Sequence, residues 1–268
     1  MTRAGRRALT SIVAAAAVGM AVAAFQGGWP GAGRVADAPA AAATGSARPA
    51  GPAPETGDVT LLLPRRPVLL VPGWLDTARD LAALRIRFIA AGWPEGWVHA
   101  LSFEDPTGGN REHAEELRRA AHALLEATGA DTLDIVAHSM GGLATRWYLL
   151  QADHVPVRSV AFIATPHGGT MAAHLAWGKG RDEMLPDSPF LDTLNRSLPV
   201  PRSVRAITVR TQIDTHVIPG ESAALPGVPD HEVCCPTHSG LPDDPEVFGI
   251  VLRFLEGRED APTPRSGP

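Results

Sequence analysis

Short unbroken apolar runs alternate with longer stretches of helical period along the central part of this chain. The run Val68-Leu69-Leu70-Val71, closed by Pro72-Gly73, suits a strand buried on both faces. Ala78 to Trp93 reads as a helix ended by Gly92, and Gly96 to Phe103 as a second strand. From Asn110 to Thr128, Leu117, Ala120, Ala121, Leu124 and Leu125 recur at i, i+3, i+4, i+7 and i+8, with Gly129 as the stop. The spacing then predicts a strand over Leu133–Ala137, a helix over Gly142–Gln151 and strands over Val157–Ala164 and Val204–Thr211. A short strand over Glu232–Cys235 and a helix from Pro245 to Leu255 close the series. Strands alternating with helices of this length imply an α/β fold, a mostly parallel sheet covered by helices on both faces.

The ends of the chain follow other rules. Residues 1–25 carry a basic start (Arg3, Arg6, Arg7) and then an apolar run of small residues, the layout of an export signal. Ala21 and Ala23 offer a cleavage site after Ala23, with a later cut before residue 48 as an alternative, and the Arg6-Arg7 pair hints at twin-arginine export. An uncleaved membrane anchor is the competing reading, because the run is just long enough to span. Residues 26–57 are Ala, Gly and Pro in near-random order, too poor in large apolar side chains to repay chain entropy, and read as a linker. A folded domain is expected over 58–259 and a loose Pro-rich tail over 260–268.

Composition narrows the classes. Hydrophobic residues make up 44% and charged residues 20%, which fits a soluble globular domain and excludes a multi-span membrane protein. The net charge of −5, with no basic cluster beyond the N-terminus, gives no case for nucleic acid. A monomer is expected. No cluster of His, Cys and Asp has zinc spacing, so neither a metal nor an organic cofactor is expected.

The candidate chemistry lies between the fifth predicted element and the sixth. Ala137-His138-Ser139-Met140-Gly141 places a serine between a buried strand and a helix, with small residues two before and two after. A chain that reverses within one residue strains that residue and crowds those neighbours, which is the geometry of a nucleophile elbow. An ordinary N-capping serine is the plain alternative. A serine hydroxyl needs a base, and the base needs an orienting carboxylate. Asp214 follows a late strand, and His238 lies in the loop before the last helix, in the chain order serine, acid, histidine. His231 is the rival base but precedes the expected strand at 232–235, and His216 is too close to Asp214 in sequence. The N–H groups of Met140 and of Trp74, in the turn after the first strand, are the candidate oxyanion donors. Trp177 and His138 are candidate substrate-side residues, although His138 also suits packing beneath the serine. The stretch from Gly169 to Val200 is a cap or an extra helix on the sheet edge.

Cys234 and Cys235 are the only cysteines. An exported chain favours pairing them. Neighbouring Cα atoms about 3.8 Å apart disfavour it, so two free thiols on opposite strand faces remain the alternative.

The segment Asp134-Ile135-Val136-Ala137-His138-Ser139-Met140-Gly141-Gly142 resembles the nucleophile segment of the small secreted bacillus-type triacylglycerol lipases. The resemblance runs from about Arg66 to Glu256 and includes Val71-Pro72-Gly73-Trp74 and Thr165-Pro166-His167-Gly168-Gly169-Thr170. It implies an α/β-hydrolase fold with a small or absent lid. It also implies hydrolysis of acyl esters through Ser139, Asp214 and His238, an acyl ester or lipid substrate and transient contact with a lipid surface. Thioesterase, acyltransferase and polyester depolymerase chemistry would use the same groups, and a non-catalytic binding protein is the alternative from another class. Val-Pro-Gly stands where many relatives have His-Gly.

Overall fold

The computed structural model describes residues 64–258. The expected leader, linker and tail all lie outside the described residues, and the domain limits at 58 and 259 fall there too. Among the described residues, no helix is long and apolar enough to cross a membrane.

Six strands form one sheet: β1 (Val68–Val71), β2 (Val98–Ala100), β3 (Leu133–His138), β4 (Val157–Ile163), β5 (Arg205–Thr211) and β6 (Asp230–Val233). Their order is β2-β1-β3-β4-β5-β6, and every neighbouring pair is parallel. Helices α1 (Ala82–Ala90), α2 (Asn110–Thr128), α3 (Gly141–Leu149), α4 (Lys179–Met184), α5 (Pro189–Asn195) and α6 (Pro245–Leu255) complete the fold.

The unbroken apolar strands are explained by two cores. Val68 and Leu70 face one layer with Leu84 and Phe88 of α1 and Val247, Val251 and Phe254 of α6. Leu69 and Val71 face the other with Leu117, Ala121 and Leu124 of α2 and Tyr148 and Leu149 of α3. Burying both faces leaves no polar face for alternation, which is why β1 reads as a continuous run. The chain leaves β1 outward to β2 and returns to β3 on the other side, so the connections after β1 and β3 diverge. Open α/β sheets place their ligands at such a point, outside the carboxyl ends of the strands.

One expectation needs correction and one open choice is resolved. The last strand spans Asp230–Val233 rather than 232–235, because its partner β5 ends at Thr211, opposite Val233. His231 therefore lies inside the strand, paired with Val209, rather than before it. Cys234 and Cys235, left open between a bridge and two free thiols, are joined by a disulfide, with Cα atoms 3.0 Å apart.

Candidate active site

Ser139 ends the turn from β3 into α3 with φ at 51°, a left-handed conformation that a serine adopts only under constraint. The constraint is visible. Ser139 N–H donates to Ile163 O of β4 at 2.8 Å, and Gly142 N–H donates to Ser139 O at 3.0 Å. A side chain at Gly141 would run into the Pro72 carbonyl, and one at Gly73 would sit 2.8 Å from Ser139 Cβ. Both glycines are therefore needed for the oxyanion-side loop to close on the elbow.

Three sequence-predicted residues meet at one point. His238 Nε2 lies 2.9 Å from Ser139 Oγ, and His238 Nδ1 lies 2.9 Å from Asp214 Oδ2. His238 opens the 3-10 turn His238–Asp243, and Thr237 caps that turn by accepting from Gly240 N–H. Asp214 is fixed from its other oxygen, Oδ1, which accepts from the N–H groups of His216 and Val217 at 2.8 Å each. Burial is the largest influence on the Asp214 carboxyl and raises it. The His238 hydrogen bond and charge, with those two N–H groups, outweigh burial and hold it below the usual carboxylate range. Burial lowers the His238 imidazole below its ordinary value; Asp214 opposes this, and the nearby rings of His138 and His216 add to it.

Trp74 and Met140 flank the serine in the chain turns just described. Among the described residues, neither main-chain N–H has an acceptor. Two free donors beside a strained serine are the groups an oxyanion needs.

The two substrate-side expectations fare differently. His138 is 3% exposed and is not among the residues that line the pocket at Ser139; it bonds Asp76 and the main chain of His238, so its ring is held beneath the serine. Trp177 is 59% exposed and stands outside the pocket, its ring edge-on to Trp74 at 4.7 Å. Its carbonyl accepts from Trp74 Nε1 at 3.1 Å, so Trp177 supports the pocket wall rather than lining it.

A pocket of about 250 Å³ opens onto Ser139 and His238, lined by Trp74, Thr170, Ala173, Met184 and Val217. A larger cavity of about 580 Å³ lies among α1, β2 and α2, but it contains no nucleophile paired with a base. Chemistry, not size, identifies the site.

The stretch from Gly169 to Val200 covers one side of this pocket. It contains the 3-10 turn Met171–Leu175, α4 and α5. Phe190, Leu191 and Leu194 pack with Met140 and Leu143 of α3. Glu183 accepts from the Asn110 side chain at 3.0 Å and from its N–H. The buried Arg146 guanidinium donates to Leu194 O, Asn195 Oδ1 and Pro199 O. Sequence patterns gave no sign of these anchors. They also missed Asp76 and His216, whose partners lie 62 residues away and across a ring stack. Thr170 escaped notice as well; it binds the His216 carbonyl at 2.6 Å and ties the cap to the acid loop.

Asp214, His216 and His238 are the one group of His, Cys and acidic side chains among the described residues with donor atoms within 4.8 Å of one another. Both His238 nitrogens are bonded, one to Asp214 and one to Ser139.

Comparison with known proteins agrees with the fold. Residues 65–157 match the family described as Lipase (class 2), a stretch that includes Ser139 and ends before Asp214 and His238. A triacylglycerol lipase of Burkholderia plantarii is 30% identical over 169 residues, covering 61% of this chain and 43% of that protein. The chain thus spans under half the length of that relative. Aspergillus fumigatus lipase B superposes with a TM-score of 0.61 at 19% identity, over 74% of this chain and 54% of that one. A Bacillus licheniformis lipase in its mature form gives 0.60 at 13% identity, over 72% and 92%. The chain has the α/β-hydrolase fold and resembles the bacterial lipases and esterases that carry it.

Proposed function

We propose that the chain is an exported serine ester hydrolase, a lipase or carboxylesterase, with a leader over 1–25, a linker over 26–57, a catalytic domain over 58–259 and a tail over 260–268. The single observation that carries this reading is the continuous hydrogen-bond series Asp214–His238–Ser139 at the floor of an open pocket.

In the reaction, Ser139 Oγ attacks the ester carbonyl as His238 Nε2 takes its proton. Asp214 holds the imidazole in the tautomer that leaves Nε2 free to accept, and it stabilises the imidazolium that forms. The N–H groups of Trp74 and Met140 receive the negative oxygen. His238 then returns the proton to the leaving alcohol, leaving an acyl group on Ser139. Water enters, loses a proton to His238 and releases the acid by the same steps in reverse.

The substrate class is read from the mouth. Leu75, Met171, Leu175, Trp177 and Ile218 are exposed apolar side chains on the segments that frame the pocket. Such a rim suits apolar acyl chains and transient contact with a lipid surface. The pocket volume suits short and medium acyl groups. The cap is anchored by Glu183, Arg146 and the α5 packing, so opening it at an oil surface would break several buried bonds. Little interfacial activation is expected, and the rate against tributyrin should saturate smoothly through the solubility limit.

A fluorophosphonate probe tests the core of the reading. It should label the wild-type chain on Ser139 and leave Ser139→Ala unlabelled, with turnover of p-nitrophenyl esters falling by at least about a thousandfold in the variant. A wild-type chain that neither labels nor hydrolyses any ester from acetate to palmitate would overturn it.

A further inference from the structure

A second aspartate–histidine pair lies beneath the first. His138 is buried, with Nδ1 3.1 Å from Asp76 Oδ2 and Nε2 3.2 Å from the main-chain oxygen of His238. A carboxylate and a carbonyl only accept. A neutral imidazole carries one N–H, so making both bonds requires a hydrogen on each nitrogen. With a hydrogen on each nitrogen the ring would be an imidazolium, with Asp76 as its counter-ion.

Asp76 stands on the same loop as Trp74, and its N–H donates back to Gly73 O at 3.3 Å. Burial raises its carboxyl, but the hydrogen bond and charge of His138 prevail and hold it below its ordinary range. The bonded series Asp76–His138–His238 thus joins the loop after β1, the elbow and the loop before α6. It shares only His238 with the series that reaches Ser139.

We propose that Asp76 and His138 are positioning residues: a doubly protonated His138, paired with Asp76, clamps the main-chain carbonyl of His238 and fixes it against the oxyanion-side loop. The proposal rests on the hydrolase reading above. His138 touches no reacting atom, so its action passes through His238.

The pair acts in two ways. It restrains the backbone from which the base projects. It also places a positive ring with its centroid 4.9 Å from that of His238. The charged and titratable groups facing His238 are Asp214 and, more remotely, Asp76, which favour its protonation, and His138 and the stacked His216, which oppose it. His138 itself faces Asp76 and His238. A positive neighbour keeps His238 a free base to lower pH. It also makes the imidazolium formed during the reaction a stronger acid toward the departing alkoxide.

The test uses the full chain, with kcat and KM for p-nitrophenyl butyrate measured from pH 4.5 to 9 beside fluorophosphonate labelling and thermal unfolding. Asp76→Asn keeps the shape and can still bond a neutral His138, whose Nε2–H still reaches the carbonyl, so chiefly charge is lost. Its acid limb of kcat/KM should move up by roughly 0.5 unit, the residue of a near positive charge lost together with its counter-ion. Its KM should stay within about twofold. His138→Ala loses the clamp as well, and kcat should fall by roughly 10–100-fold, with a larger upward displacement because the Asp76 carboxylate stays behind unpaired. The double variant should be no worse than His138→Ala. A folded, active Asp76→Asn variant with the wild-type acid limb overturns the pair, whether or not His138→Ala folds. A wild-type chain without labelling or turnover overturns the hydrolase reading, and the pair with it.

Discussion

Asp134 and Asp214 are both aspartates with side chains withdrawn from water, and the molecule treats them in opposite ways. Asp134 lies near the start of β3 at 1% exposure, and its Oδ1 has no hydrogen-bond partner. Burial dominates there; Arg66, Arg205 and a bond from Ser159 only partly offset it, and the carboxyl is pushed up to about 6. The Asp214 side chain is 2% exposed, yet two N–H groups and His238 hold it ionised. Burial alone disfavours a charge; convergent donors reverse that. The difference marks which end of the sheet is built for chemistry.

Exchanging carboxylate for amide at each position breaks the comparison most directly. Asp214→Asn should lower kcat/KM by about 10³–10⁴-fold, because the amide favours the wrong imidazole tautomer. Ester kinetics beside thermal unfolding check this. Near-normal activity would show that the acid is misassigned, with Glu221 the next to replace.

Asp134→Asn should do the reverse, leaving the kinetics unchanged and stabilising the fold at pH 8 by about 1–3 kcal/mol. The sign follows from the raised carboxyl. The folded state holds its proton more tightly than the unfolded chain, so wild-type stability is greatest below the unfolded value near 4 and falls as pH rises to about 6. Urea unfolding should therefore separate variant from wild type at pH 8 and bring them together at pH 4.

The smallest effect concerns the base that Asp214 serves. Burial lowers His238, so it stays neutral, and able to accept a proton, below the pH at which an ordinary histidine would be charged. The acid limb of wild-type kcat/KM should accordingly lie below 6.5. A limb above that value would mean that Asp214 outweighs burial at this ring.

Much of this was legible in the sequence, for local reasons. Helices α2 and α6 fall at their expected limits because Gly129 stops one and Asp244-Pro245 starts the other. Ser139 was legible because an elbow needs small neighbours in sequence. Asp214 and His238 were legible from chain order together with their places after a late strand and before the last helix. The anchors were not. Asp76, Glu183 and Arg146 act through partners 62, 73 and 48 or more residues away, and no local pattern records that. The edge strand β6 shifted because its limits are set by where β5 ends, whereas Val233-Cys234-Cys235 merely looks apolar. His138 showed its place beside and beneath the serine but not its partners, since only the fold reveals that both its nitrogens face acceptors.

The Ser139–His238 hydrogen bond joins residues 99 positions apart. As the chain leaves the ribosome, the serine appears long before its base, and the strand that clamps the elbow, β4, also follows it. A nascent or truncated chain can carry the complete elbow motif and remain chemically silent. Under the proposed mechanism, hydrolysis would therefore require that synthesis has passed the loop carrying His238 and that the sheet has closed, so activity would count finished molecules rather than total polypeptide.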